Sequence, residues 1–119
     1  MSKNAWLVAA GAAIGSSLRY GIAQALPTAH ASDFPMSTLF VNIFGALLIG
    51  LAAGMPQIMT HDARRYFLVT GVLGGFTTFS ALAVQTLNLN SVAQSIAYLG
   101  ATFVIGVLAT HLGHRMVTK

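Results

Sequence analysis

The chain has 119 residues, 55% of them hydrophobic and only 7% charged, with six basic residues, two acids and no cysteine. A soluble domain is about one-quarter charged, so this composition excludes one, and the lack of cysteine excludes disulfides and thiolate metal sites. Five of the six basic residues fall at predicted helix ends or in loops, which makes the +4 charge a membrane-surface and orientation signal rather than a nucleic-acid footprint.

Crossing a bilayer takes about 20 predominantly apolar residues. The sequence divides into four such stretches, 4–26, 36–55, 66–89 and 92–114, with almost nothing left over. The prediction is an all-α, multi-pass integral membrane protein, one domain of four transmembrane helices. The first stretch lacks an A-x-A-like exit and reads as a retained helix rather than a cleaved leader. It holds Gly11 and Gly15, a small-xxx-small pair that lets another helix approach closely. Arg19 lies about seven residues, roughly 10 Å, from the predicted helix end. A charge at that depth either snorkels to the headgroups or lines an anion entrance, and both readings stand. The loop from Pro27 to Pro35 carries His30, which has no companion at ligand spacing, and Asp33.

In the second stretch Thr38 and Asn42 are four apart and share a face. A lone amide in a membrane helix is either interhelical glue or part of a pathway. Gly50-x-x-x-Gly54 fits a further helix contact.

The third stretch contains Gly74-Gly75-Phe76-Thr77-Thr78-Phe79-Ser80 at mid-depth. Adjacent glycines followed by three hydroxyls predict a helix broken near Gly74–Thr78. In hydrocarbon such a break survives only when protein or a watery cavity surrounds it, and its freed backbone groups are potential ion ligands. In the fourth stretch Tyr98, Thr102, Gly106 and Thr110 recur every four residues. That stripe is either close helix packing with local hydroxyl-to-backbone bonds or a polar track along a permeation path.

The only acids, Asp33 and Asp62, fall in loops. A small proton-coupled multidrug exporter shares this size and span count, but it needs a titratable intramembrane carboxylate, which no span supplies. No nucleophile–base–acid set exists, so the chain does not read as an enzyme. Hydroxyls, amides, aromatic edges and one arginine suit an anion better than a cation.

Taken together, Gly11-x-x-x-Gly15-x-x-x-Arg19-Tyr20, Thr38-x-x-x-Asn42-x-x-Gly45, the Gly74–Ser80 run and Tyr98-x-x-x-Thr102-x-x-x-Gly106 resemble the Fluc, or CrcB, family of small fluoride channels. The resemblance covers essentially the whole chain. It implies an antiparallel, dual-topology dimer with two pores, in a bacterial inner membrane. It implies passive, fluoride-specific export that lowers intracellular fluoride and gives resistance to it. It further implies a structural Na+ at the dimer centre, held by the backbone carbonyls of Gly74 and Thr77 from each subunit. Asn42 would donate its amide to fluoride and Phe79 would offer its positively polarised ring edge. Thr38, Ser80, Tyr98 and Thr102 would form the polar track, and Arg19 would set an electropositive entrance or a dimer contact.

Two positions depart from the family pattern. Leu82 stands where a second phenylalanine is usual, and Gln85 where a carboxylate is common. With four spans, Lys3, Arg64, Arg65, Arg115 and Lys119 share one side and only Arg19 leans to the other. That bias favours cytoplasmic termini. Fixed orientation keeps a heterodimer with a paralogue, one of its pores impaired, beside the homodimer as the expected partnership.

Overall fold

The computed structural model describes residues 4–26 and 34–118, so the loop with His30 and Asp33 lies outside the described residues. Helix α1 (Ala5–Ala25) ends where Leu26 leaves helical geometry, at φ −123° and ψ 64°. Proline at the next position disfavours the helical region for Leu26. Helix α2 (Met36–Ala53) starts directly after Pro35. It stops before Met55, which the following Pro56 holds extended at φ −104° and ψ 105°. Pro56 then opens the single turn α3 (Pro56–Met59).

Helix α4 covers residues 62–76: a turn of ordinary helix (Asp62–Arg64), a π-helical run (Arg65–Leu73), and a last ordinary turn (Gly74–Phe76). After a break at residues 77–79 the chain resumes as α5 (Ser80–Asn88). Helix α6 (Val92–Val117) is capped by Ser91, whose Oγ accepts the Gln94 N–H at 3.1 Å.

The third apolar stretch therefore starts earlier than expected and is π-helical over nine residues, whereas π geometry is usually confined to single turns. Its break falls at the C-terminal end of the expected window. Gly74 and Gly75 remain helical, and Thr77 is the first residue to turn extended, at φ −79° and ψ 155°. No described glycine has positive φ, so the pair serves no special backbone turn; Gly75 allows close approach to Ala12, whereas Gly74 faces open space.

Among the described residues, three segments are long and apolar enough to cross a membrane: Met36–Ala53, Asp62–Asn88 and Val92–Val117. Helix α1, at 21 residues, has the length, but Ser16, Ser17, Arg19, Tyr20 and Gln24 dilute its apolar character. Even so, it packs along α4.

The helices form two tight pairs, α1 with α4 and α2 with α6, joined more loosely to each other. Glycines set both seams. A Cβ on Gly11 would meet the Phe67 carbonyl and the Gly71 backbone, and one on Gly75 would lie 2.8 Å from Ala12 Cα. On the second seam Gly50 faces the Thr110 carbonyl, and Gly113 faces the backbones of Leu47 and Leu51. Backbones this close gain dispersion contacts that branched side chains would prevent. The turn between α2 and α4 is tied by arginines: Arg64 Nη1 donates to Gln57 O at 3.1 Å and Arg65 Nη1 to Met59 O at 3.0 Å. Arg65 also pairs with Asp62 at 3.0 Å; this solvent-facing ion pair adds at most about 1 kcal/mol.

The buried cluster is small: Leu82, Leu89 and Tyr98, with Phe34, Leu39 and Leu99 against it. Only 6% of the most apolar window of α6 is buried, and Leu87 and Val107 are well exposed. An apolar surface of this extent requires lipid or another protein.

Candidate functional site

The break is held by side chains from two other helices. Asn42 grips Thr78 from α2 with a pair of bonds: its Nδ2 donates to Thr78 O at 2.9 Å, and its Oδ1 accepts the Thr78 N–H at 2.8 Å. Arg19 reaches from α1, its Nε donating to Gly75 O at 3.2 Å. Thr78 also starts α5, its Oγ1 accepting the Ala81 N–H at 3.2 Å. The part-buried backbone groups of Gly75, Thr78 and Ala81 thus find partners outside the helix ladder.

These bonds have a consequence for the carbonyls. In a continuous helix the Thr78 N–H would close onto Gly74 O and the Ala81 N–H onto Thr77 O. Here Asn42 Oδ1 and Thr78 Oγ1 take those two amides instead. Gly74 and Thr77, the two expected cation ligands, therefore carry the carbonyls whose helical donors are diverted. Gly74 is exposed, and a Cβ there would find nothing nearer than Val69 O at 3.8 Å. Hard, uncharged oxygens freed from a helix suit Na+, so the donor set fits the group.

A furrow runs between α2 and α6. One part, about 290 Å³, is lined by Asn42, Thr77, Thr78, Phe79, Leu82 and Thr102 among others. A larger part, about 580 Å³, shares Asn42 and Thr102 and continues past Gly106 and Thr110 to His111 and His114. Phe79 is 72% exposed. Asn42 keeps a second amide hydrogen beyond the one given to Thr78. The threonine hydroxyls, however, are engaged: Thr102 Oγ1 donates to Tyr98 O at 2.8 Å, and Thr110 Oγ1 is within reach of both Gly106 O at 3.0 Å and Ala46 O at 3.1 Å. A threonine has one O–H to give, so these residues offer an anion nothing until the hydroxyl rotates away, at about 1 kcal/mol each.

The structure does not gather all the expected path residues into that furrow. Thr38 and Arg19 line a separate cavity of about 180 Å³ with Thr78 and Gln85. Ser80 is exposed, its Oγ 3.3 Å from Thr78 Oγ1. Tyr98 is fully buried, edge-on to Phe34 at 5.4 Å, its hydroxyl donating to Gln85 Oε1 at 3.0 Å. Two partners were not foreseen: Thr78 as the residue gripped by Asn42, and Gly75 as the one capped by Arg19. The nearest signal in the sequence was a solitary amide and a solitary arginine in apolar helices, each of which needs a polar mate.

Leu82 is 3% exposed and packs against Leu89 and Tyr98. Its place in the core explains why an aromatic ring is not simply interchangeable here. Leu82→Phe is expected to overpack this cluster and to destabilise the protein by about 1–3 kcal/mol, read as a lower thermal unfolding midpoint in detergent.

The family model described as CrcB-like protein, Camphor Resistance (CrcB), matches residues 6–114. The chain belongs to the CrcB family. A protein named fluoride-specific ion channel FluC from Thermus thermophilus is 43% identical over 115 residues, covering 92% of this chain and 90% of that one. One of the same name from Hyphomonas neptunium is 40% identical over 119 residues, covering 95% and 94%. FluC 1 of Listeria monocytogenes serotype 4b is 37% identical over 116 residues, covering 95% and 96%. CrcB membership and the three apolar helices make this a multi-pass membrane protein.

Proposed function

We propose that this CrcB-family chain is a fluoride-specific channel subunit of the bacterial inner membrane. It passes fluoride passively out of the cytoplasm and so gives fluoride resistance. The observation that carries the reading is the furrow at the helix break, lined by both Asn42 and Phe79, with no carboxylate among its described lining residues. Fluoride is small and strongly hydrated, and a path must replace its water shell. The free N–H of Asn42 supplies a donor, and a phenyl edge carries positive polarisation. Thr102 and Thr110 follow along α6, each able to turn its hydroxyl from a carbonyl to the ion.

The exposure of Phe79, Gly74 and most of α6 supports a second subunit closing the furrow. We read that subunit as an antiparallel copy of this chain. The one-sided basic residues Arg64, Arg65 and Arg115 favour a paralogue of fixed opposite orientation as the second reading. Na+ bound at the break would supply a positive centre there. The carbonyls of Gly74 and Thr77 would hold it. Thr38, Ser80 and Tyr98 flank the path rather than line it: Tyr98 braces Gln85, Ser80 Oγ lies beside Thr78 Oγ1, and Thr38 lines the separate cavity with Thr78.

Growth tests this reading. Expression of the chain in a fluoride-hypersensitive bacterium should restore growth in fluoride medium, and unchanged sensitivity despite membrane expression of the chain and of any paralogue would contradict it.

A further inference from the structure

Four carbonyls at the break fall into two alternating classes. Those of Gly75 and Thr78 are capped from other helices, by Arg19 at 3.2 Å and Asn42 at 2.9 Å. Those of Gly74 and Thr77 precede each capped carbonyl by one residue, and the amides that would close onto them are diverted. Asn42 acts on the far side of the break, where Thr77 is already extended. On the near side the chain is Gly74-Gly75, two residues without a Cβ to restrict their peptide planes. Arg19 is the side chain that fixes one of those planes.

We propose that Arg19 is a positioning residue for the cation site: its Nε–H···O=C bond to Gly75 locks the Gly-Gly backbone so that the carbonyl of the exposed Gly74 stays available to a cation. The proposal rests on the reading of Gly74 and Thr77 as cation ligands. It has an unusual electrostatic sign. A guanidinium beside a cation site opposes the cation by Coulomb repulsion. If Arg19 acted through its charge alone, removing it would strengthen sodium binding. If it acts through the hydrogen bond, removing it weakens sodium binding despite the lost repulsion.

The test compares wild type, Arg19→Gln and Arg19→Met, purified full-length. The thermal unfolding midpoint is followed as Na+ replaces N-methylglucamine at constant ionic strength, because an ion bound only by the folded state raises that midpoint. Glutamine keeps an N–H near the Nε position without charge, and methionine keeps the length without a donor. The wild-type midpoint should rise with sodium. Arg19→Gln should half-saturate at the same or a lower sodium concentration, and Arg19→Met at one about tenfold higher, the loss of one hydrogen bond. Equal or tighter sodium binding by Arg19→Met overturns the proposal alone, leaving the cation reading intact. No sodium effect on wild type overturns both. Should Arg19→Met fail to fold, Arg19→Leu, which also lacks the donor, takes its place under the same criteria, and weaker sodium binding by Arg19→Gln, which keeps the donor, overturns the proposal.

Discussion

Asn42→Ala is expected to reduce fluoride flux by at least about tenfold, and by up to about 100-fold from the anion contact alone. A hydrogen bond to a charged group contributes about 1.5–3 kcal/mol, and each 1.4 kcal/mol is tenfold in rate. The alanine variant also releases both bonds to Thr78. The Thr78 amide is then free to close back onto Gly74 O, which withdraws a carbonyl from the break. Asn42→Asp separates the two effects. It keeps an acceptor for the Thr78 N–H but loses the donor to Thr78 O and places a negative charge on the anion path. Flux should fall at least as far in Asn42→Asp as in Asn42→Ala, with more of the helix break preserved. Equal amounts of reconstituted protein, followed with a fluoride electrode, give the comparison. A rate for Asn42→Ala within threefold of wild type would remove Asn42 from the path.

The second large effect is on the fold. Gly15→Ala should destabilise the α1–α4 seam by about 1–3 kcal/mol, and Gly15→Leu should abolish the folded protein. A Cβ at Gly15 would overlap the Val72 carbonyl oxygen and lie 2.7 Å from Phe76 N. Both are backbone atoms of α4, so no rotamer change relieves the clash and the helices must separate. Separation also pulls Arg19 from Gly75, one turn further along the same seam. Gly21 is the internal control, because a Cβ there meets nothing within 4 Å. Gly21→Ala should match or exceed wild-type stability, since alanine is favoured over glycine in a helix by up to about 1 kcal/mol. Size-exclusion profiles and thermal unfolding of the two variants side by side check the contrast.

Much of this architecture was legible because hydrocarbon imposes simple rules. Apolar length marked the helices, prolines 35 and 56 set the ends of α2, and Gly11, Gly15 and Gly50 announced the close seams that the structure forms. The break was legible as a cluster of hydroxyls after paired glycines, but its place was not. Gly74 and Gly75 look like the breaking residues, yet both stay helical, and the turn comes at Thr77, where Asn42 from 36 residues away takes over the Thr78 backbone. A bond across that separation leaves no local signature. The same holds for Arg19: snorkelling and an anion entrance were both open to it, and neither reading names the Gly75 carbonyl to which its Nε donates. The fourfold stripe on α6 was read as packing or as a track. In the structure Thr102 and Thr110 line the furrow with their hydrogens engaged on carbonyls. Tyr98 leaves the stripe for the core because α6 drifts across its own axis over that length. The π-helical run in α4 had no sequence cue that distinguishes it from an ordinary helix.

The most direct test is efflux from liposomes containing only this purified chain, with fluoride followed by electrode and chloride by the same method in parallel. Rapid fluoride loss without chloride loss is the predicted result, and it would also mean that the chain inserts in both orientations and forms its own dimer. Equal fluoride and chloride rates would contradict fluoride selectivity. No efflux of either ion, from folded protein alone and again with its paralogue present, would contradict the channel reading itself.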